Sequence, residues 1–443
     1  MGRIRQRSFD SRAHPRRISP RRLHLALPLL FPFVFHQARL GRGGSARSPK
    51  SMRLLITSHV IHYSYGGRLY AYGPYAREID LWADLFREVR IASPCRSAPP
   101  PGDCLPFERH NISILPQKEA GGETLWAKLG LVASVPGMAL GLARAMRNAD
   151  AIHVRCPGNL GLIGVLLAPL FSRRLIAKYA AQWNGGDAEP FSARLQRAIL
   201  RSSWWKGPVT VYGSWPGSPA HVIPFFTSLL TAEQLERAKA SARRPRRGPD
   251  LRVLYTGRLS KAKNVDVLFR AMASAGPQIS ATIVGVGPER ESLEALARSL
   301  GIAERVTFTG GLPFDGVIEH LESSDVLVLA SETEGWPKSI AEGMAFGLAC
   351  IGSDIGIVPQ MLGEGRGFTV APRDEAALAA VLRQIAESPD RMEAMRHLAA
   401  AWAQQYSLEG LKDALHRLMA EWWSLEPGAW RLPAGRAAEG STR

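Results

Sequence analysis

Apolar and polar positions along the first half of the chain predict short buried strands separated by helices. After an initial strand at 53–57, a helix beginning at Pro74 has Ile79, Trp82 and Leu85 on one face. Further strands are predicted at 89–92, 151–155, 175–179, 209–212 and 222–223, and helices at 125–146, 160–171 and 191–202. Strands that alternate with helices predict a doubly wound, mostly parallel α/β sheet.

The same alternation restarts after residues 236–250, which are rich in Arg, Ala and Pro and are therefore interpreted as a linker. The second half has predicted strands at 252–256, 281–285, 305–309, 326–330 and 349–353, and predicted helices at 265–274, 289–300, 315–321, 374–387, 391–405 and 408–423. The predicted organisation is a disordered basic extension (1–51), a first doubly wound domain (52–235), the linker (236–250), a second domain (251–424) and a disordered tail (425–443).

The net charge of +17 is concentrated at one end of the chain. Residues 1–50 supply +11, and the remainder carries only +6. Because no basic stripe with interleaved aromatic residues and no zinc-type spacing accompanies this charge, no nucleic-acid partner is expected. The four cysteines have no paired or metal-ligand spacing, which favours reduced thiols and a cytoplasmic location.

Two apolar segments bear on contact with membranes. Leu25–Phe35 is too short to cross a bilayer. The basic extension that contains it is interpreted as disordered, or as the product of a start codon upstream of a true beginning at Met52, and we expect residues 1–51 to be dispensable for folding and activity. Leu160–Phe171 is apolar on all sides and is followed by Arg173 and Arg174, so peripheral contact with the inner face of a membrane is left open.

Two carboxylates, Glu334 and Glu342, flank a predicted strand-to-helix turn. Gly335 permits a tight backbone, and Pro337 fits the first helical position. The following amides, from Lys338 onward, would point out of a helix N-terminus, which is a favourable place for a phosphate. Glu342 would lie one turn further in, on the same face. This arrangement suits a sugar–phosphate compound rich in hydroxyls.

The same stretch resembles the E-x7-E signature of retaining glycosyltransferases of the GT-B fold, of the family 4 type. Three further stretches resemble motifs of that family: Tyr255–Asn264, which contains Gly-Arg-Leu, Val284–Pro288, and Arg305–Gly310. The four motifs occur in family order across roughly residues 250–375. The first half of the chain matches more loosely.

The resemblance implies two doubly wound Rossmann-like domains that face a cleft. It places the first domain (52–235) on the acceptor side and makes the second (251–424) a glycosyltransferase domain that binds a nucleotide-sugar donor. It implies transfer of a sugar, with retained configuration, to a hydroxyl of a glycan, lipid or small-molecule acceptor, without a cofactor or metal. Arg258 and Lys263 match the residues that bind the diphosphate. Glu334 matches the carboxylate at the transferred sugar and is grouped with these two cations as catalytic. Glu342 matches the carboxylate at the ribose.

Further contacts follow from the same resemblance. The donor-binding set also includes Gly335 and the start of the helix at Lys338, Ser339 and Ile340. In the first domain, Gly67 of the Gly66-Gly67 loop matches the glycine-rich loop that approaches the diphosphate, and His153 and Arg155 remain alternatives for a contact with the sugar. The alternative function is a non-catalytic partner protein that binds sugar nucleotides on the same fold.

Overall fold

The computed structural model describes residues 48–119, 125–186, 189–228, 230–245 and 250–423, with the backbone alone at 125–133 and 389–391. Most of the predicted extension (1–47) and the whole predicted tail (425–443) lie outside the described residues. Residues 48–51 belong to the predicted extension, but Pro49–Ser51 form a 3-10 turn in which Pro49 is buried. The described structure therefore includes residues before Met52, and Pro49 packs into the fold.

The first sheet is mostly parallel and is flanked by helices, as the alternation predicts. Its elements are β1 (Arg53–Thr57), β2 (His62–Tyr65), β3 (Arg68–Tyr72), α1 (Gly73–Leu85), β4 (Glu88–Arg96), β5 (Cys104–Pro106), β6 (Ile112–Gln117), α2 (Leu125–Arg147), β7 (Ala151–Cys156), α3 (Asn159–Phe171), β8 (Leu175–Tyr179), α4 (Phe191–Arg201), β9 (Val209–Tyr212) and β10 (Val222–Phe225). The strand order is β10-β9-β8-β7-β1-β4-β2-β3-β5, with β6 paired to β4. Leu54, Leu55 and Ile56 of β1 are all buried because helices cover both faces of the sheet.

The second sheet is parallel throughout. Its domain comprises α5 (Ala232–Ala242), β11 (Leu251–Thr256), α6 (Val265–Ala275), β12 (Ile279–Val284), α7 (Arg290–Ser299), β13 (Val306–Gly310), α8 (Phe314–Ser323), β14 (Val326–Leu329), α9 (Lys338–Ala345), β15 (Ala349–Ser353), α10 (Val358–Leu362), β16 (Phe368–Val370), α11 (Glu375–Glu387), α12 (Pro389–Ala403) and α13 (Leu408–Trp422). The strand order is β13-β12-β11-β14-β15-β16. From β11, the strands continue through β12 to β13 on one side and through β14 to β16 on the other. Ligands of open α/β sheets bind at the point where the order reverses in this way.

Two segments differ from their sequence predictions. The region around Gly66 and Gly67 is the two-residue turn of an antiparallel hairpin formed by β2 and β3, with φ of 56° and 74° that suit glycine. The predicted linker begins inside helix α5, whose N-terminus carries a capping box formed by Thr231 and Gln234. The domain boundaries themselves remain a prediction.

The last helix ends against the first domain. Lys412 of α13 forms a 2.8 Å ion pair with Asp84 of α1, and the ring of Trp423 lies 6.2 Å from that of Phe86. The indole nitrogen of Trp423 donates to the Leu175 carbonyl at 3.4 Å. The C-terminal helix therefore connects the two halves of the fold. Within the residues that the structure describes, no helix is both long and apolar enough to cross a bilayer.

Candidate functional site

Glycines bring two of the sequence motifs into backbone contact. A Cβ at Gly285 would lie 1.8 Å from the carbonyl oxygen of Gly257, and one at Gly287 would lie 2.1 Å from that of Leu259. Only glycine permits this approach between the segments that follow β12 and β11. The contact fixes the turn after β11 and places the exposed Arg258 at the carboxyl end of that strand.

Lys263 and Glu334 form an ion pair at this edge of the sheet. Lys263 lies in a 3-10 turn after β11, and Glu334 lies in the loop after the neighbouring strand β14. Both side chains are largely buried, with exposed fractions of 25% and 11%. Asn264 ties the two segments together, because its side-chain amide donates to the Ala330 carbonyl at 2.9 Å. The structure therefore brings these two predicted residues into direct contact, near Arg258.

Helix α9 begins one residue later than predicted. Pro337 occupies the N-cap, with ψ of 90°, instead of the first helical position, so Lys338 is the first helical residue. No side chain caps this N-terminus. The first amides of the helix, those of Lys338, Ser339 and Ile340, have no carbonyl partner within the helix. The later start makes Pro337 the N-cap but leaves the same amides, from Lys338 onward, at the helix N-terminus.

Glu342 and Lys338, one helical turn apart, form an electrostatically coupled pair. Glu342 is buried, and its Oε1 atom has no hydrogen-bond partner among the residues that the structure describes. Burial raises the pKa of Glu342 to about 7, although the charges of Lys338 and Arg77 oppose this. Burial also lowers the pKa of Lys338 to about 7, against the opposing charges of Glu78 and Glu342. Burial therefore opposes the charge of each group, while the charge of each group favours that of the other.

The first domain contributes charged side chains that the sequence did not single out. Glu78 of α1 accepts 2.8 Å hydrogen bonds from Lys178 of β8 at both carboxylate oxygens, and Arg155 lies 3.7 Å away. Despite the burial of Glu78, these two cations hold the pKa of its carboxyl well below the usual range. A signal was present: a lysine inside the apolar strand Leu175–Tyr179 indicates a buried charge, which requires a partner.

His153, Arg155 and Gly67 occupy different surroundings. His153 is buried, its ring lies 5.0 Å from that of Trp82, and burial lowers its pKa to about 3, which favours the neutral imidazole. Arg155 joins the Glu78 cluster and stacks over Tyr75, with 5.2 Å between the guanidinium carbon and the ring centre. Around Gly67, no heavy atom of the described residues, apart from its immediate chain neighbours, lies within 4 Å of the position where a side chain would begin.

Tyr72, at the end of β3, is a further residue that the sequence did not indicate. Burial of its hydroxyl and the charges of Asp103, Glu342 and Glu334 raise its pKa. Its hydroxyl therefore experiences the field of both carboxylates of the second domain, although the Tyr72 residue is half exposed.

The loop that carries Glu334 packs directly against the first domain. A Cβ at Gly335 would lie 3.0 Å from the Ala180 carbonyl oxygen and 3.2 Å from the ring of Tyr212. Nearby, the side chain of Gln360 accepts from the Ser214 amide at 2.9 Å and donates to the Ser214 carbonyl at 3.0 Å. Close contact between the domains thus leaves little room for a side chain at Gly335.

Solved structures share this architecture. Sucrose-phosphate synthase from Thermosynechococcus elongatus is 20% identical with a TM-score of 0.62, and the alignment covers 85% of this chain and 100% of that one. Anabaena Alr3699/HepE in complex with UDP is 16% identical with a TM-score of 0.60, over 83% and 99% of the two chains. At these identities the likeness establishes the fold alone. The chain has the GT-B fold, which confirms the predicted class.

The second half of the chain is also similar to known proteins in sequence. Residues 236–402 match the family model described as glycosyl transferases group 1. D-inositol 3-phosphate glycosyltransferase of Streptomyces scabiei is 33% identical over 183 residues, 38% of this chain and 41% of that protein. Alpha-D-kanosaminyltransferase of Streptomyces kanamyceticus is 30% identical over 213 residues, 46% and 55% of the two chains. The chain thus spans about half the length of these curated relatives.

Proposed function

We propose that this protein is a retaining glycosyltransferase that moves a sugar from a nucleotide-sugar donor to a hydroxyl of a glycan, lipid or small-molecule acceptor. The observation that carries the proposal is the Lys263–Glu334 ion pair beside the uncapped start of α9. Cationic, anionic and amide groups meet there at the carboxyl edge of a parallel sheet. A sugar diphosphate offers matching charges and hydroxyls.

In this proposal the leaving diphosphate binds to Arg258, Lys263 and the first amides of α9. Cleavage of the bond between the sugar and the diphosphate develops negative charge on the departing oxygen, and preorganised cations and dipoles stabilise that charge. Arg258 can grip two phosphate oxygens in a fork, while Lys263 supplies a point charge. Because the protein provides these charges itself, we propose that no divalent metal is required.

The two glutamates would hold the rest of the donor. We assign Glu334 to hydroxyls of the transferred sugar and Glu342 to the hydroxyls of the ribose, since carboxylates accept strong hydrogen bonds from hydroxyls. The unpartnered Oε1 of Glu342 supports its assignment, because a buried acceptor without a partner is costly and a ribose hydroxyl would satisfy it. Lys338, on the same helix face, would lie towards the phosphates.

Retention requires the acceptor oxygen to form its bond on the face from which the diphosphate leaves. In the proposed step the acceptor hydroxyl attacks the anomeric carbon as the bond to the diphosphate oxygen breaks. The proton of that hydroxyl passes to the departing phosphate oxygen, so no dedicated general base is assigned. The glycosyl transferases group 1 match and the transferase names of the relatives support this class of reaction.

A thermal-shift screen against UDP-, GDP- and ADP-sugars tests the proposal. A donor present at a hundred times its Kd should stabilise the folded state by roughly 2.7 kcal/mol. Release of nucleoside diphosphate from the donor that stabilises most would then separate an enzyme from the non-catalytic alternative. If no nucleotide sugar raises the melting temperature of a folded sample, the assignment of the site is wrong.

A further inference from the structure

Helices α2, α3 and α4 form a continuous layer over one side of the first sheet. Their inner faces bury Leu142 and Met146 of α2, Leu160 of α3 and Leu200 of α4 in one cluster with the strands. The indole nitrogen of Trp204, just after α4, donates to a backbone carbonyl of α3 at 3.1 Å and ties the two helices together. We call residues 134–149, 159–174 and 191–206 the three-helix layer.

The outer face of this layer is unusually apolar. Seven of the twelve exposed large apolar side chains among the described residues lie on it: Val135, Leu140, Leu166, Leu170, Phe191, Leu195 and Trp204. The exposed fractions reach 52% for Leu140, 65% for Leu170 and 71% for Phe191. Single exposed apolar residues are ordinary, but this concentration on three adjacent helices indicates an interaction surface.

The charge of the layer has one sign. Its three stretches contain no Asp or Glu and eight cations: Arg144, Arg147, Arg173, Arg174, Arg194, Arg197, Arg201 and Lys206. Arg197 pairs with Glu189 just outside the layer, and Arg201 donates to the Gly217 carbonyl. The remaining six supply a field that favours an anionic partner.

We propose that the three-helix layer binds the surface of a bilayer that contains anionic lipids. Exposed Leu, Phe and Trp side chains insert at the boundary between headgroups and acyl chains, while the surrounding Arg and Lys side chains contact lipid phosphates. A second copy of the chain fits less well, because a symmetric contact would set this cationic face against itself. A nucleic acid would leave the exposed leucines without an apolar partner. This inference does not depend on the proposed donor site.

Co-sedimentation of the full chain with vesicles tests the proposal. The protein should bind vesicles of phosphatidylcholine mixed with phosphatidylglycerol, bind vesicles of phosphatidylcholine alone much more weakly, and lose affinity as salt is raised. Each cation near an anionic surface contributes roughly a fivefold factor, so the triple substitution Arg144→Glu, Arg147→Glu and Arg173→Glu should weaken binding at least about a hundredfold. Replacing Leu140, Leu170 and Phe191 by Ser should weaken it at least about tenfold.

Matched controls make the outcome specific to this surface. Charge reversal at Arg87, Arg298 and Arg383, and serine at the equally exposed Val286 and Leu398, should leave vesicle binding within about twofold of wild type. Melting curves confirm that each variant is folded. If the triple serine variant does not fold, Phe191→Ser alone replaces it. The proposal is wrong if the wild-type protein does not bind anionic vesicles. It is equally wrong if both layer variants bind like the controls, which would locate the membrane contact elsewhere. Concentration-dependent dimerisation that the layer variants abolish would show instead that the surface binds a second copy.

Discussion

Lys263 and Glu334 lie 71 positions apart in the chain and form an ion pair where two neighbouring parallel strands end. The pair holds a cation and a carboxylate side by side in partly buried positions. A ligand that presents a phosphate to one group and a hydroxyl to the other would therefore meet both in place. Such preorganisation lowers the entropy cost of binding.

Removing either proposed diphosphate cation should weaken donor binding and turnover together. Arg258→Ala and Lys263→Ala should each cost on the order of 1.5–3 kcal/mol, the usual range for a hydrogen bond to a charged group. Calorimetric titration with the nucleotide sugar and steady-state kinetics measure both effects. Lys261→Ala is a suitable control, since Lys261 is an exposed cation in the same 3-10 turn. Wild-type affinity in both test variants would contradict the assignment.

The substitution Glu334→Gln should distinguish contacts with the sugar from contacts with the nucleotide. Because Glu334 is assigned to the transferred sugar, this substitution should lower turnover and affinity for the intact donor by about tenfold or more. Affinity for the nucleoside diphosphate alone should not fall, because the loss of the Glu334 charge releases Lys263 from its ion pair. Comparing titrations with these two ligands measures the difference, and equal losses for both would place Glu334 at the diphosphate instead.

Glu342→Gln should make the protein more stable at alkaline pH while weakening donor binding. The folded-state pKa of Glu342, about 7, lies above its ordinary value of 4.5. The stabilising effect of its protonated form is therefore fully present below pH 4.5 and is lost as pH rises through 7. Glutamine does not ionise and avoids this loss. We expect a gain on the order of 2 kcal/mol at pH 8 and little difference at pH 5.

Thermal melts of both proteins at the two pH values check this expectation. Glu291→Gln, at an exposed position of α7, provides the control and should melt like wild type at both. A Glu342→Gln variant that is less stable than wild type at pH 8 would show that the carboxylate has a stabilising partner. That result would contradict the absence of a hydrogen-bond partner at Oε1 among the described residues.

The Glu78–Lys178 pair should be strongly coupled. Glu78→Gln leaves Lys178 buried without its counter-charge and should cost about 3–5 kcal/mol of stability. Adding Lys178→Met removes the isolated charge, so the double variant should recover most of that loss. Denaturant unfolding of the single and double variants gives the coupling energy. Additive losses would mean that the two side chains do not interact in solution.

Much of the fold was predictable because its strands are buried on both faces and therefore appear as short apolar runs. The predicted bounds of β8, β9 and β15 coincide with the observed ones. The hairpin of β2 and β3 was missed because Gly66-Gly67 was interpreted as a loop, although two glycines between possible strands also indicate a two-residue turn. Helix α5 was missed because its composition suggested a linker.

The second-domain part of the candidate site was predictable because its residues fall in one continuous stretch of motifs, from Arg258 to Glu342. Glu78 and Lys178 are 100 positions apart and meet only through the packing of α1 on the first sheet. Burial of the Glu342 carboxylate likewise depends on tertiary contacts. The lysine inside the apolar strand β8 indicates a buried charge, but no local pattern specifies that Glu78 is its partner, so that pairing could be identified only from the structure.

The most direct test of the central claim is to follow a nucleotide sugar by NMR during incubation with the purified protein and a panel of acceptors that includes water. The account predicts release of nucleoside diphosphate in the presence of EDTA and a first-formed product with the anomeric configuration of the donor. It also predicts that Arg258→Ala and Lys263→Ala slow this release, whereas Lys261→Ala does not. An inverted product, activity that EDTA abolishes and magnesium restores, or undiminished release by both cation variants would contradict it.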